Sequence, residues 1–110
     1  MSITPLLRCD DLQRTQIFYE SLGFNAQLNA PLLTLQGYGA TLLFTDGDLW
    51  QRATGCSGTF YFTVDDVDNC FAELQRHAEI SWPVQDMPYG SREFGLLDCN
   101  GYHLAFQQRR

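Results

Sequence analysis

The second half of this 110-residue chain repeats the order of the first. Asp10-Asp11-Leu12 is answered by Asp65-Asp66-Val67, and Gly37-Tyr38 with Leu42-Leu43-Phe44 is answered by Gly101-Tyr102 with Leu104-Ala105-Phe106. An acidic side chain just before an apolar-periodic run accepts from the first N–H groups of a helix, so each aspartate pair marks a helix start. The second correspondence is displaced further along the chain than the first, which places an insertion around Pro83 to Tyr89. A repeat of only two units points to paired modules rather than to a solenoid.

Each half spells a strand, a helix and three more strands. In the first, Ile3 to Cys9 is extended, Leu12 to Leu22 is helical with Leu12, Ile17, Phe18 and Leu22 on one face, and Gly23 ends the helix in the left-handed conformation. Phe24 to Leu28, Pro31 to Gln36 and Ala40 to Thr45 follow as short strands between turn residues. In the second, Thr59 to Val64 is a strand, about Val67 to His77 a helix, and Ile80 to Val84, Gly90 to Leu97 and Tyr102 to Gln107 are strands, the last two joined by an Asp98-Cys99-Asn100-Gly101 turn. The fold class is therefore α+β, two βαβββ modules in one domain over 1–110, with module 1 about 1–46, a polar linker about 47–58 that carries Trp50, and module 2 about 59–108. His77, in the last helical turn, complements the helix dipole.

Composition narrows the function. A hydrophobic fraction of 45% excludes disorder, since enough apolar surface exists to offset chain entropy. The net charge of −6 and the absence of lysine argue against nucleic acid, because phosphate binding draws on clustered cations. An acidic field instead attracts cationic ligands. Cys9, Cys56, Cys70 and Cys99 form no Cys-x-x-Cys pair and follow no signal-like segment, and no apolar run reaches the length of a membrane span. Reduced thiols, a cytoplasmic location and no membrane partner are the expectation.

Three stretches carry a resemblance to a known family: Leu7-Arg8-Cys9-Asp10-Asp11-Leu12 running on to Phe18-Tyr19-Glu20-Ser21-Leu22-Gly23-Phe24, then Phe62-Thr63-Val64-Asp65-Asp66-Val67, and Tyr89-Gly90-Ser91-Arg92-Glu93-Phe94 before Asp98-Cys99-Asn100-Gly101-Tyr102. Together they resemble the vicinal oxygen chelate superfamily of glyoxalases, bleomycin-resistance proteins and extradiol dioxygenases, over essentially the whole chain. The resemblance implies a curved eight-stranded half-barrel cup built from the two modules, and a homodimer.

Metal-dependent members of that superfamily hold a divalent ion with His, Gln or Glu from the first, fourth, fifth and eighth strands. By motif those positions fall here on Thr4, Leu43, Thr59 and Ala105. A divalent cation needs three or four N or O donors, and two hydrocarbon side chains with two hydroxyls do not supply them. The expectation is no metal, no cofactor and no catalytic residue.

Alternation along the strands turns Leu6, Arg8, Thr41, Thr45, Tyr61, Thr63, His103 and Gln107 to the same side as the degenerate metal positions. Candidate ligand-binding residues are Trp50, Tyr61, Thr63, Arg92, Phe94 and His103. Tyr61 offers a flat face and a hydroxyl to planar or cationic ligands, or simply packs in the core. Arg92 either holds a ligand carboxylate or phosphate, or pairs with Glu93 or an aspartate of a partner subunit. Gly90 allows the segment around it to move as a flap. The sequence thus points to a metal-free protein that binds and sequesters a small molecule, cationic or aromatic, as the bleomycin-resistance proteins do. The alternative is a glyoxalase- or dioxygenase-type enzyme with a non-standard ligand set, for example His103 joined by an acidic residue of the dimer partner.

Overall fold

The computed structural model describes residues 3–48, 56 and 58–109. Two compact units divide the chain, Met1–Cys56 and Ser57–Arg110, and Trp50 and its immediate neighbours lie outside the described residues.

The first unit holds β1 (Leu6–Arg8), α1 (Leu12–Ser21), β2 (Asn25–Asn29), β3 (Leu32–Gly37) and β4 (Ala40–Thr45), in a sheet of order β1-β4-β3-β2. β1 runs parallel to β4 and the other pairs are antiparallel. The second unit repeats the plan with β5 (Thr59–Thr63), α2 (Val67–Leu74), β6 (Glu79–Asp86), β7 (Ser91–Leu97) and β8 (His103–Arg109), in the order β5-β8-β7-β6 with β5 parallel to β8. The eight expected strands are thus dealt into two four-stranded mixed sheets, each with one helix.

Both aspartate pairs cap as their chemistry requires. The Asp11 side chain accepts from Arg14 N at 3.0 Å, and that of Asp66 from Asn69 N at 3.1 Å. The buried stripe of α1 is Leu12, Thr15, Tyr19 and Leu22, spaced three or four apart, rather than the expected stripe through Ile17, which is 68% exposed. A threonine serves on that stripe because its hydroxyl donates to the Asp11 carbonyl at 2.8 Å, so the buried oxygen is paired. Gly23 has φ +99, the left-handed conformation that stops the helix, and the Tyr38 hydroxyl donates to the Leu22 carbonyl beside it.

α2 is shorter than its sequence periodicity suggests. It ends at Leu74 with Gln75 as its cap, so His77 lies past the helix, exposed, and is no last-turn residue. Its inner face, Val67 and Leu74 buried with Phe71 edge-on to Phe94, meets a sheet core of Phe62, Phe94, Leu96, Leu104 and Phe106. Phe94 and Phe62 stack on opposite sides of Phe106 at 5.3 and 5.0 Å between ring centroids. Burying rings of this size contributes about 2–3 kcal/mol each. The insertion placed around Pro83 to Tyr89 divides between two elements: β6 runs through Pro83 to Asp86, with register shifts either side of Trp82, and the turn into β7 takes the rest. Proline is tolerated there because an outer strand with a broken ladder has no need of that N–H.

Candidate functional site

Because Phe94 and Phe106 face α2, alternation turns Glu93, Gly95, Ala105 and Tyr61 to the opposite side of the second sheet. The ladder aligns them in two rows. Tyr61, Ala105, Gly95 and Trp82 form one, and Thr63, Gln107, Glu93 and Gln85 form the next. Gly95 makes room for Trp82, since a Cβ there would stand 2.4 Å from the indole ring.

Glu93 is fully buried on this face. Its Oε1 accepts from the Tyr89 hydroxyl at 2.6 Å and from the Ser91 hydroxyl at 3.0 Å, and its Oε2 accepts from the Tyr61 hydroxyl at 3.2 Å. Burying a carboxylate is costly unless hydrogen bonds replace its hydration, and three hydroxyl donors supply that replacement. Donating to Glu93 in turn raises the Tyr89 phenol well above the usual tyrosine range, with burial and the neighbouring Tyr61 adding to the effect. The hydroxyls converge while the rings stay accessible, 48% exposed at Tyr61 and 64% at Tyr89.

The residues expected in the ligand wall divide. Tyr61 and Thr63 lie on this face, and Thr63 accepts from Gln107 Nε2 at 3.3 Å. His103 shares the face but opens β8, in the row of Thr59 and Leu97, roughly 13 Å along the strand from the Glu93 row. Two candidates belong elsewhere. Phe94 is wholly enclosed between Phe71 and Phe106 in the core. Arg92 faces α2, where it holds both carboxylate oxygens of Asp68 at 2.9–3.3 Å and pairs with Asp86 at 3.3 Å. Of the alternatives for Arg92, pairing with an acid holds, but the acids are those two aspartates and not Glu93. Trp50 falls outside the described residues.

Glu93, Ser91 and Gly95 are not among the candidates expected from sequence, although the strand pattern carries their signal. Applying to β7 the alternation used on the other strands sets Ser91, Glu93 and Gly95 opposite Phe94 and Leu96.

The degenerate metal positions keep their chemistry in three dimensions. Thr4 and Thr59 are exposed, Leu43 is half-buried opposite Leu6 and Thr34, and Ala105 is fully buried. Neither hydrocarbon has a donor atom, and no cluster of three or more His, Cys, Asp or Glu residues capable of holding a metal occurs among the described residues. The residues present do not fit a divalent cation at these positions.

The first sheet shows its own polar side. Away from Leu33, Leu35, Leu42 and Phe44, which are buried, two shallow depressions of about 310 and 320 Å³ are lined in common by Asn25 and Gln36. Gln27, Thr34 and Thr41 complete a surface of amides and hydroxyls.

No helix among the described residues is long and apolar enough to cross a membrane. The chain's fold is that of several solved structures. It matches a glyoxalase/bleomycin resistance protein/dioxygenase from Alicyclobacillus acidocaldarius at TM-score 0.80 and 19% identity, covering 99% of this chain and 91% of that one. It matches TioX from Micromonospora sp. ML1 at 0.80 and 22%, covering 100% and 99%. It matches a lactoylglutathione lyase from Agrobacterium tumefaciens at 0.75 and 22%, covering 97% and 92%. A search of curated proteins found no match. The model of the Glyoxalase/Bleomycin resistance protein/Dioxygenase superfamily matches residues 3–106, so the repeated βαβββ plan has a family name: this chain belongs to that superfamily.

Proposed function

We propose that this protein binds an organic small molecule, a drug or similar compound, and sequesters it without metal-dependent chemistry. The observation that carries this reading is the pair of hydrocarbon side chains, half-buried Leu43 and fully buried Ala105, at positions where metal-dependent members of the superfamily supply donors. Neither side chain offers a donor to an ion that would polarise a carbonyl or activate water. What the second sheet offers instead is an accessible face with aromatic rings, hydroxyls and one buried carboxylate, the mixture that orients a ligand by a few polar contacts within apolar surroundings.

Two further elements belong to the proposal. A homodimer would cover exposed sheet edges, since β1 and β2 in the first sheet and β5 and β6 in the second each pair on one side only within their sheet. A cytoplasmic setting suits four cysteines that carry thiols, none in a disulfide.

Intrinsic tryptophan fluorescence tests the reading. Titration with bleomycin-type glycopeptides and a panel of planar drugs is expected to give saturable quenching or enhancement at micromolar concentration. Parallel assays of hemithioacetal isomerisation and catechol ring opening, with Ni, Zn, Mn or Fe added, are expected to show no turnover. Metal-dependent turnover in either assay would overturn the reading in favour of an enzyme.

A further inference from the structure

We infer that Glu93 anchors the protonated amino group of the ligand, and that Tyr89 holds that place while no ligand is bound. The inference rests on the binding reading above and names the class of compound the second sheet selects.

The carboxylate has no cationic partner among the described residues. All three of its contacts are hydroxyls, while Arg92, its neighbour in sequence, points to the opposite side of the sheet and is held there by Asp68 and Asp86. An ionised carboxylate this deep is ordinarily matched by a positive charge, because hydroxyl donors replace its hydration but leave its charge uncompensated. Acceptor capacity also remains. Oε1 takes two hydrogen bonds, whereas Oε2 takes one, at 3.2 Å, long for a hydroxyl donating to a charged oxygen.

The surroundings suit an ammonium carried on a flat apolar body. Tyr61 and Tyr89 bring hydroxyls to the carboxylate and leave ring surface accessible beside it, a setting in which aromatic faces attract a cation. Trp82 stacks over Gly95, the next residue after Glu93 on the same face of β7, and its Nε1 is buried without an acceptor among the described residues. A ligand oxygen would satisfy that donor. The chain's net charge of −6 favours the approach of a cation over that of an anion.

Access requires one movement. Tyr89 sits in the turn between β6 and β7, where the Met87 carbonyl accepts from Gly90 N at 3.1 Å, and its ring is largely exposed. Swinging it outward frees a lone pair on Oε1 without disturbing the ladder. An incoming ammonium donates where the phenol donated, and its charge makes it the stronger donor.

The experiment titrates the isotopically labelled full chain with phenethylamine and, separately, with 2-phenylethanol, its neutral counterpart, following backbone and indole N–H resonances. Phenethylamine is expected to shift the Glu93, Tyr61 and Trp82 signals saturably, with 2-phenylethanol at least about tenfold weaker, as a lost charge-assisted hydrogen bond implies. Glu93→Gln is expected to lower amine affinity at least about tenfold, and Tyr89→Phe, which keeps the ring and removes the competing donor, to raise it by about threefold or more. Should Glu93→Gln fail to fold, unchanged or weaker amine binding in Tyr89→Phe would by itself overturn the inference. Equal binding of amine and alcohol at this face would sink the anchor role while leaving small-molecule binding intact. No binding of either probe, together with a flat fluorescence titration against the glycopeptides and drugs, would remove both.

Discussion

The ring of Trp82 rests on Gly95: three of its carbons lie 2.4–2.6 Å from where a Cβ at that residue would stand. No real Cβ tolerates such contacts, so the glycine and the indole are one packing unit across the β6–β7 ladder. Replacing Gly95 by alanine is expected to push the indole off the sheet and destabilise the fold by about 1–3 kcal/mol, the usual range for overpacking. The check is a urea unfolding curve together with the emission maximum, which should move to longer wavelength as the ring gains water. An unchanged maximum would show that the strand shifts instead of the ring.

Arg92 is expected to matter for stability and not for ligand. Its guanidinium bridges α2 to β6 through Asp68 and Asp86, on the side of the sheet away from Glu93. Arg92→Gln should lower the melting temperature modestly, less so in high salt because both aspartates are well exposed, and leave ligand affinity within twofold. A large loss of affinity with little change in melting would return Arg92 to the ligand wall.

These two residues show where the sequence was legible. Helix starts, the succession of elements along the chain and the duplicated plan could be read because each rests on local chemistry, capping aspartates and alternation, that the fold preserves at Asp11 and Asp66. The faces of α1 and β7 were harder. Thr15 takes a core position that hydropathy assigns to Ile17, since a hydroxyl paired with a backbone carbonyl buries as well as an alkyl group. Arg92 and Glu93 are adjacent and opposite in charge, which invites pairing, yet successive strand residues point to opposite sides of a sheet and each found its partners there. What no local rule could supply is the meeting of Tyr61, Tyr89 and Glu93, which depends on β8 lying between β5 and β7.

The Asp-x-Asn-Gly turn is structural. Asp98 is buried, and its Oδ1 accepts from Asn100 N at 2.8 Å and Tyr102 N at 2.7 Å, holding the β7–β8 hairpin closed. Asp98→Ala leaves two amides without their acceptor and is expected to cost about 1–3 kcal/mol by thermal or chemical unfolding. Because the hairpin places Gly95 against Ala105, ligand affinity should fall in parallel with stability and recover when temperature is lowered. A stable Asp98→Ala variant would mean that water replaces the carboxylate at no cost.

Cys70 gives a pH-dependent prediction. Burial, with a smaller contribution from the nearby Asp66 carboxylate, pushes its thiol up to about 11 from the ordinary 9.0. The thiolate is the species that reacts, so at pH 8 the native chain should alkylate at Cys70 about a hundredfold more slowly than the unfolded chain, judged by thiolate fraction. The sign for stability follows: with the folded value above the unfolded one, this thiol's contribution is complete below pH 9 and is lost as pH rises from 9 toward 11, where the unfolded chain ionises first. Mass-spectrometric mapping of iodoacetamide adducts, native against urea-unfolded, measures the ratio, and exposed Cys56 serves as the internal reference for access. Equal rates at Cys70 in the two states would mean that α2 is open for most of the time, in which case its backbone amides should be unprotected from exchange as well.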